Sequence, residues 1–332
     1  MRSIDIHTHL LPRELPRWSP IRLEHLDARR ARMLREDGTL FREIGSNAWD
    51  PGERLAYCDG NGVGLQVLST VPVLFGYSLA AGRARDLSQY LNDHIAGICQ
   101  KTPRRFAGLG TLPLQDPDLA VRELERCVRE LGLSGVQIGS HVGAWNLSEP
   151  ALFPVFARAA ELGAAVFVHP WDMMGQEQMA KYWLPWLVGM PAEGARAICS
   201  VIFGGVLERL PSLRIAFAHG GGAFAGTLGR IEHGFHARPD LVAVDNPGHP
   251  PSQYLSRIYV DSLVHSERAL RLLLDVFGAD RIAIGSDYPF PLGEDPPGGV
   301  MKSMNLPRET RDRLASGTAL EWLGRAADSY DV

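Results

Sequence analysis

Apolar residues recur along this chain in two alternating patterns: short β-branched runs, and longer stretches whose apolar positions share one helical face. The first run holds Ile4 and Ile6 and ends in His7-Thr8-His9. Further runs at 65–68, 106–112, 135–138, 165–168, 214–218, 257–260 and 281–285 predict more strands. Between them, helices are predicted at 79–98, 117–131, 149–162, 266–277 and 307–323, with another after Gly220-Gly221-Gly222. Asp50-Pro51 and Asp116-Pro117 each give an N-cap followed by a proline at the first helical position, and the helix opened by Asp50 is expected to run to residue 60.

Strands alternating with helices predict a parallel sheet. Eight such units in 332 residues predict an α/β fold, a closed (β/α)8 barrel forming a single domain over 1–332. An open doubly wound sheet is the alternative, but no glycine-rich dinucleotide fingerprint follows the first strand. Two stretches depart from the alternation. Residues 13–48 are Arg-rich and irregular and form an insertion, and a long loop and helical region covers 171–210. Long insertions within compact domains tend to serve function.

Composition changes this picture little. A chain 45% hydrophobic and 22% charged is an ordinary globular one, and a net charge of −4 with a pI near 6.3 gives no reason to expect nucleic acid or an anionic membrane as partner. Lys101, Lys181 and Lys302 are the only lysines among 34 basic residues, so a surface charge is the ordinary fate of any one of the 31 arginines. Cys58, Cys99, Cys127 and Cys199 are widely spaced with no CxxC pair, which predicts reduced thiols and a cytoplasmic protein. His7 and His9 interrupt the first apolar run before a signal core can form, and no run is expected to span a membrane.

Candidate chemistry lies at the strand ends, where barrel enzymes carry their catalytic groups. His7 and His9 end the first strand, His169 the fifth, His219 the sixth and Asp287 the eighth. Side chains alternate faces in a strand, so His7 and His9 point the same way, about 7 Å apart. Three imidazoles and a carboxylate suit Zn2+ with a position left for water, and Mn2+ or Fe2+ accept the same ligands. The other histidines (His25, His94, His141, His233, His236, His249 and His265) fall mostly in helices or loops and read as surface or structural, although His141 follows the fourth strand.

The strand-end pattern resembles the amidohydrolase superfamily, in which an HxH pair, a fifth-strand His, a sixth-strand His and an eighth-strand Asp build the metal site. Binuclear members add a carboxylated lysine on the fourth strand. Here that strand reads Gly135-Val136-Gln137-Ile138-Gly139, so one metal is expected. His169-Pro170-Trp171-Asp172-Met173-Met174, Tyr182-Trp183-Leu184-Pro185-Trp186-Leu187, His219-Gly220-Gly221-Gly222 and Gly285-Ser286-Asp287-Tyr288-Pro289-Phe290-Pro291 are similar to the superfamily's metal-dependent decarboxylase branch. Carried over residue by residue, the resemblance implies His7, His9, His169 and Asp287 as ligands of one zinc ion, and His219 as the general base. It further implies Arg42 as the arginine for a substrate carboxylate, and Arg230 as a second arginine lent across a homodimer. Trp186 and Phe290 would line the pocket, whereas Trp183 reads as core packing.

The activity so implied is non-oxidative loss of CO2 from a conjugated muconate semialdehyde carrying two carboxylates, in tryptophan catabolism. Direct loss from a vinylic carbon would leave an unstabilised carbanion, so that carbon must first become tetrahedral. Zinc lowers the pKa of its water to about 7, which makes hydroxide available to add beside it. His219 is the right residue type to take and return a proton near neutrality. Arginine suits the carboxylates because its planar fork binds them in bidentate fashion. A hydrolase or aromatic-acid decarboxylase of the same superfamily is one competing reading. A non-catalytic metal-binding barrel is another, against which the intact His219 argues.

Overall fold

The computed structural model describes residues 2–332. One sheet holds eight parallel strands: β1 (Ser3–Leu10), β2 (Val63–Thr70), β3 (Phe106–Gly110), β4 (Gly135–Gly139), β5 (Ala165–His169), β6 (Arg214–Phe217), β7 (Ile258–Asp261) and β8 (Ile282–Ala283). Each pairs with the next in chain order. The sheet closes on itself where Ile6 N–H donates to the Ile284 carbonyl and His9 N–H to the Tyr288 carbonyl, both at 2.8 Å. With helices following the strands, this is the (β/α)8 barrel that the alternation predicts.

Alternation along the strands divides their side chains between two cores and thereby aims the site residues. On β5, Ala165 and Phe167 face the barrel interior with Ile4, Ile6, Val67 and Leu109, while Val166 and Val168 pack outward with Ile215 and Phe217. His169 continues the inward row of β5, and Asp261 continues that of Tyr259 on β7. On β1 the inward residues are Ile4 and Ile6, so strict alternation would send His7 and His9 outward. A register shift against β2 intervenes: Asp5 pairs with Gln66, but Thr8 with Leu68. The one extra residue of this β-bulge reverses the parity, and both histidines turn inward.

Two parts differ from the sequence expectation. The insertion is ordered, with Ile21–His25, Arg30–Arg35 and Leu40–Gly45 forming an antiparallel three-stranded sheet. Its apolar face (Ile21, Ala31, Met33 and Ile44) packs on Leu11, Trp49 and Leu74, which gives a charged segment enough burial to hold together. The stretch Pro185–Phe203 is, by length and composition, a helix long and apolar enough to cross a membrane. In this fold Ala197, Ile198, Val201 and Ile202 bury that apolar face within the protein's own core.

Candidate metal centre and active-site cavity

The β1 bulge, the end of β5 and the segment after β8 bring His7, His9, His169 and Asp287 together, with one ligand atom from each within 4.8 Å of all the others. His7 Nε2 and His9 Nε2 are 3.2 Å apart, and Asp287 Oδ1 lies 2.9 Å from His9 Nε2 and 3.5 Å from His7 Nε2. All four side chains are buried. Each imidazole is oriented through Nδ1: His7 donates to Asp261 Oδ2 at 2.6 Å, His9 to the Thr70 carbonyl at 3.0 Å, and His169 to the Pro170 carbonyl at 2.8 Å. A proton on Nδ1 leaves Nε2 as a lone pair. His169 Nε2 is buried with no hydrogen-bond partner among the described residues.

Converging lone pairs and a carboxylate oxygen repel one another, and an unpartnered buried polar atom costs about 1–3 kcal/mol. A divalent cation at their centre removes both penalties, so these residues fit a metal. No lysine is present on β4 to bridge a second one; Gln137 instead accepts from Ser69 Oγ and donates to the Thr70 carbonyl. Burial opposes ionisation of Asp287, but the imidazoles of His9, His7 and His219 beside it hold the carboxyl well below the usual range. Burial also pushes His9 down and His169 further down. For His7, burial is outweighed by the Asp261 hydrogen bond and by the charge of Asp287.

His219 stands beside this cluster without joining it. Ala218 faces the interior, so His219 would face away, but its left-handed backbone (φ 57°) turns it into the cavity. Its ring centroid is 5.1 Å from those of His7 and His169. Burial pushes its pKa down to about 4, and Nδ1 is buried without a partner among the described residues. The result is a neutral imidazole, able to accept a proton, next to the candidate ligands.

Sequence reasoning missed the residue that holds both parts together. Asp261 is fully buried; its Oδ2 accepts from His7 Nδ1 and from His219 N–H at 2.9 Å, and its Oδ1 from Gly220 N–H at 2.8 Å and Leu263 N–H at 3.1 Å. One carboxylate thus fixes the tautomer of the candidate ligand His7 and the backbone of His219. Asp261→Asn offers an amide donor where His7 needs an acceptor, and metal affinity should fall about 10–100-fold. Competition with a chelator measures this, and unchanged affinity would mean that His7 is oriented by something else. Arg54, also buried, braces the same strand: it donates to the His9 carbonyl and, at 3.0 Å, to Gln66 Oε1, with its guanidinium 4.9 Å from the Tyr288 ring centroid.

A cavity of about 350 Å3 opens on the cluster, a size suited to a small molecule. Arg42, Trp186 and Phe290 line it. Arg42 is half-buried, its Cζ lies 4.3 Å from the Phe290 ring centroid, and it has no ion pair among the described residues. The π-helical turn Pro185–Gly189 brings Trp186 to the cavity. Trp183 is not core: its left-handed backbone (φ 56°) leaves it 42% exposed. Glu193 anchors the loop after β5, accepting from Met174 N–H at 2.9 Å and Ser140 Oγ at 3.0 Å. His141 pairs with the same carboxylate at 3.3 Å and is structural. His265 is exposed, as a surface histidine should be, and also lines the cavity. Arg230 is exposed on the outer helix Phe224–Ala237 and does not line the cavity of its own chain.

A barrel with this donor set at its strand ends belongs to a known class. The family model described as amidohydrolase matches residues 4–325, and the chain belongs to that family. It is 51% identical to 2-amino-3-carboxymuconate-6-semialdehyde decarboxylase of Dictyostelium discoideum, over 99% of this chain and 93% of the relative. The Caenorhabditis elegans protein of the same description is 36% identical over 94% of this chain and 91% of its own. Among solved structures, 5-carboxyvanillate decarboxylase from Novosphingobium aromaticivorans, complexed with manganese, is similar with a TM-score of 0.76 at 28% identity, over 84% of this chain and 82% of that one.

Proposed function

We propose that this carboxy-lyase converts 2-amino-3-carboxymuconate 6-semialdehyde to 2-aminomuconate 6-semialdehyde without an oxidant, in tryptophan catabolism, with one zinc ion per chain. The observation that carries the reading is Arg42, a half-buried guanidinium that feels the charge of Asp287 but has no ion pair among the described residues, in a cavity that also opens on the four-donor cluster. A partly buried cation without an ion pair has room for one from outside, and the fork of an arginine fits a carboxylate. The choice of substrate is supported by the 51% identity to the Dictyostelium discoideum decarboxylase.

Arg42 holds a substrate carboxylate beside Phe290, whose ring centroid is 5.4 Å from that of His9. Trp171, Trp186 and Phe290 keep water away from the conjugated chain. Because the carbanion from direct loss of CO2 would be unstabilised, a proton must reach the carboxylate-bearing carbon before the C–C bond breaks. His219 takes a proton at a ring nitrogen and returns it to that carbon. Held by His7, His9, His169 and Asp287, a divalent cation supplies Lewis acidity and a water of lowered pKa.

Metal-loaded protein added to freshly generated semialdehyde should remove its visible absorbance and release CO2, and failure of both overturns the reading. Elemental analysis of the active protein should find one zinc per chain. Two metals per chain would overturn the single-metal assignment, and one manganese would overturn the choice of zinc. We further propose that the working unit is a homodimer in which each chain lends Arg230 to its partner's cavity.

A further inference from the structure

The bulge in β1 turns His7 and His9 inward, and a fully buried acid stands where it begins. Asp5 lies between Ile4 and Ile6, in a run that would otherwise read as a plain apolar strand. A carboxylate in such a place persists only where donors satisfy it. We infer that Asp5 is a positioning residue, which clasps the bulge of β1 to the segment after β8 and so sets the geometry of the metal ligands on both. The inference rests on the four-donor metal centre and takes nothing from the choice of substrate.

Three donors meet this carboxylate, and each belongs to a ligand or to the chain neighbour of one. Oδ1 accepts from His7 N–H at 3.3 Å and from Ser286 N–H at 3.0 Å, and Oδ2 accepts from Ser286 Oγ at 2.5 Å. The first of these bonds is what the bulge needs. Pairing with β2 passes from Asp5 opposite Gln66 to Thr8 opposite Leu68, so Ile6 and His7 fall outside it. Ile6 N–H finds the Ile284 carbonyl instead, and His7 N–H finds Asp5 itself. A buried N–H left unpartnered is costly, so the acid at position 5 makes the bulge tolerable. A regular strand would need no such acceptor and would turn both histidines to the wrong face.

The other two bonds reach Asp287. Ser286 Oγ donates to Asp5 and accepts from Tyr288 N–H at 3.2 Å, so both chain neighbours of Asp287 are tied to Asp5, directly or through one hydroxyl. Asp287 N–H donates to the His7 carbonyl at 2.8 Å, and its own backbone is left-handed (φ 58°), a state that persists where the surroundings impose it. Gly285 lets the two segments close up, since a Cβ there would lie 2.8 Å from that of His7. At the far end of the bulge, Arg54 donates to the His9 carbonyl. Asp261 therefore orients the ring of His7, whereas Asp5 holds the backbone on which His7 and Asp287 are mounted.

Asp5→Ala and Asp5→Asn test this. The amide of Asp5→Asn keeps an oxygen for both backbone N–H groups and offers Ser286 Oγ a donor, so it removes the charge and spares the clasp. Chelator competition on the zinc-loaded proteins reads affinity, and the visible d–d spectrum of the cobalt-substituted ones reads ligand geometry, both without turnover. Asp5→Ala should lose about 10–100-fold in zinc affinity, the usual effect of removing an outer partner of the ligands, and its cobalt bands should shift. Asp5→Asn should match the wild type in both. A crystal structure of Asp5→Ala should show Thr8 displaced from its place opposite Leu68. If Asp5→Ala does not fold, Ser286→Ala, which cuts only the arm through Oδ2, should still weaken zinc and shift the cobalt bands. Wild-type affinity and spectrum in Asp5→Ala, or in Ser286→Ala where that variant stands in for it, overturn the inference. So does an Asp5→Asn as weak as Asp5→Ala, which would assign the effect to charge. A protein that depends on Asp5 in this way but does not decarboxylate the semialdehyde would refute the proposed function and leave this inference standing.

Discussion

His219→Ala is expected to keep the wild-type metal content and to lose about 10²–10⁴ in turnover, the usual effect of removing a general base. The retained metal follows from geometry. The four converging donors are His7, His9, His169 and Asp287, and His219 is not among them. Its backbone N–H, which Asp261 uses, survives truncation of the side chain, so His7 keeps its orientation. The lost turnover follows from the ring itself. Burial holds it neutral, with a pKa pushed down to about 4 and a ring centroid 5.1 Å from two of the candidate ligands. Among the described residues lining the cavity, the other histidine outside the cluster, His265, is exposed where His219 is nearly enclosed by the imidazoles around it. Elemental analysis paired with single-turnover kinetics separates the two effects. A variant isolated without metal would make His219 a ligand and cancel the role assigned to it.

The barrel and the five strand-end candidates were legible in the sequence because both rest on local patterns, whereas setting His219 apart from the other four took the resemblance to the family. Apolar runs mark strands, and His7, His9, His169 and Asp287 stand at or just past strand ends, where the fold collects chemistry. What alternation alone could not supply was the parity of β1: the pair reaches the interior only through the bulge between Asp5 and Thr8. Asp261 left a signal, as the last residue of β7, but a lone aspartate does not reveal that its partners come from β1 and from the turn after β6. His265 left less, four residues past the same strand and aimed by a backbone conformation that no spacing rule encodes. The insertion was legible and was misread. Ile21 and Leu23 alternate with Arg22 and Glu24 as a half-buried strand should, and the density of charge obscured the period.

Mixing two inactive variants, Arg42→Ala and Arg230→Ala, is expected to restore activity if the working unit is a dimer with shared sites. Arg230 is exposed on the helix Phe224–Ala237, in the outer ring, and cannot serve its own cavity from there. That helix packs against Met190–Phe203, which follows directly on Leu187 and Val188, exposed by 51% and 54%. Exposed apolar residues leading into the helix that packs on the one carrying Arg230 suit an interface between copies. In a two-fold dimer the exchange is reciprocal, so each chain lends one Arg230 and receives one. A heterodimer of the variants then gathers both lesions at one site. The other site keeps its own Arg42 and receives an intact Arg230. Each heterodimer should recover half the wild-type activity. With equal amounts and random re-pairing, the bulk solution should approach roughly a quarter of it, because about half of the dimers are mixed. Subunit exchange is followed independently by mass-tagging one variant. Exchange without recovery would place both arginines within one chain's function or leave Arg230 purely structural, and in either case the shared site would be abandoned.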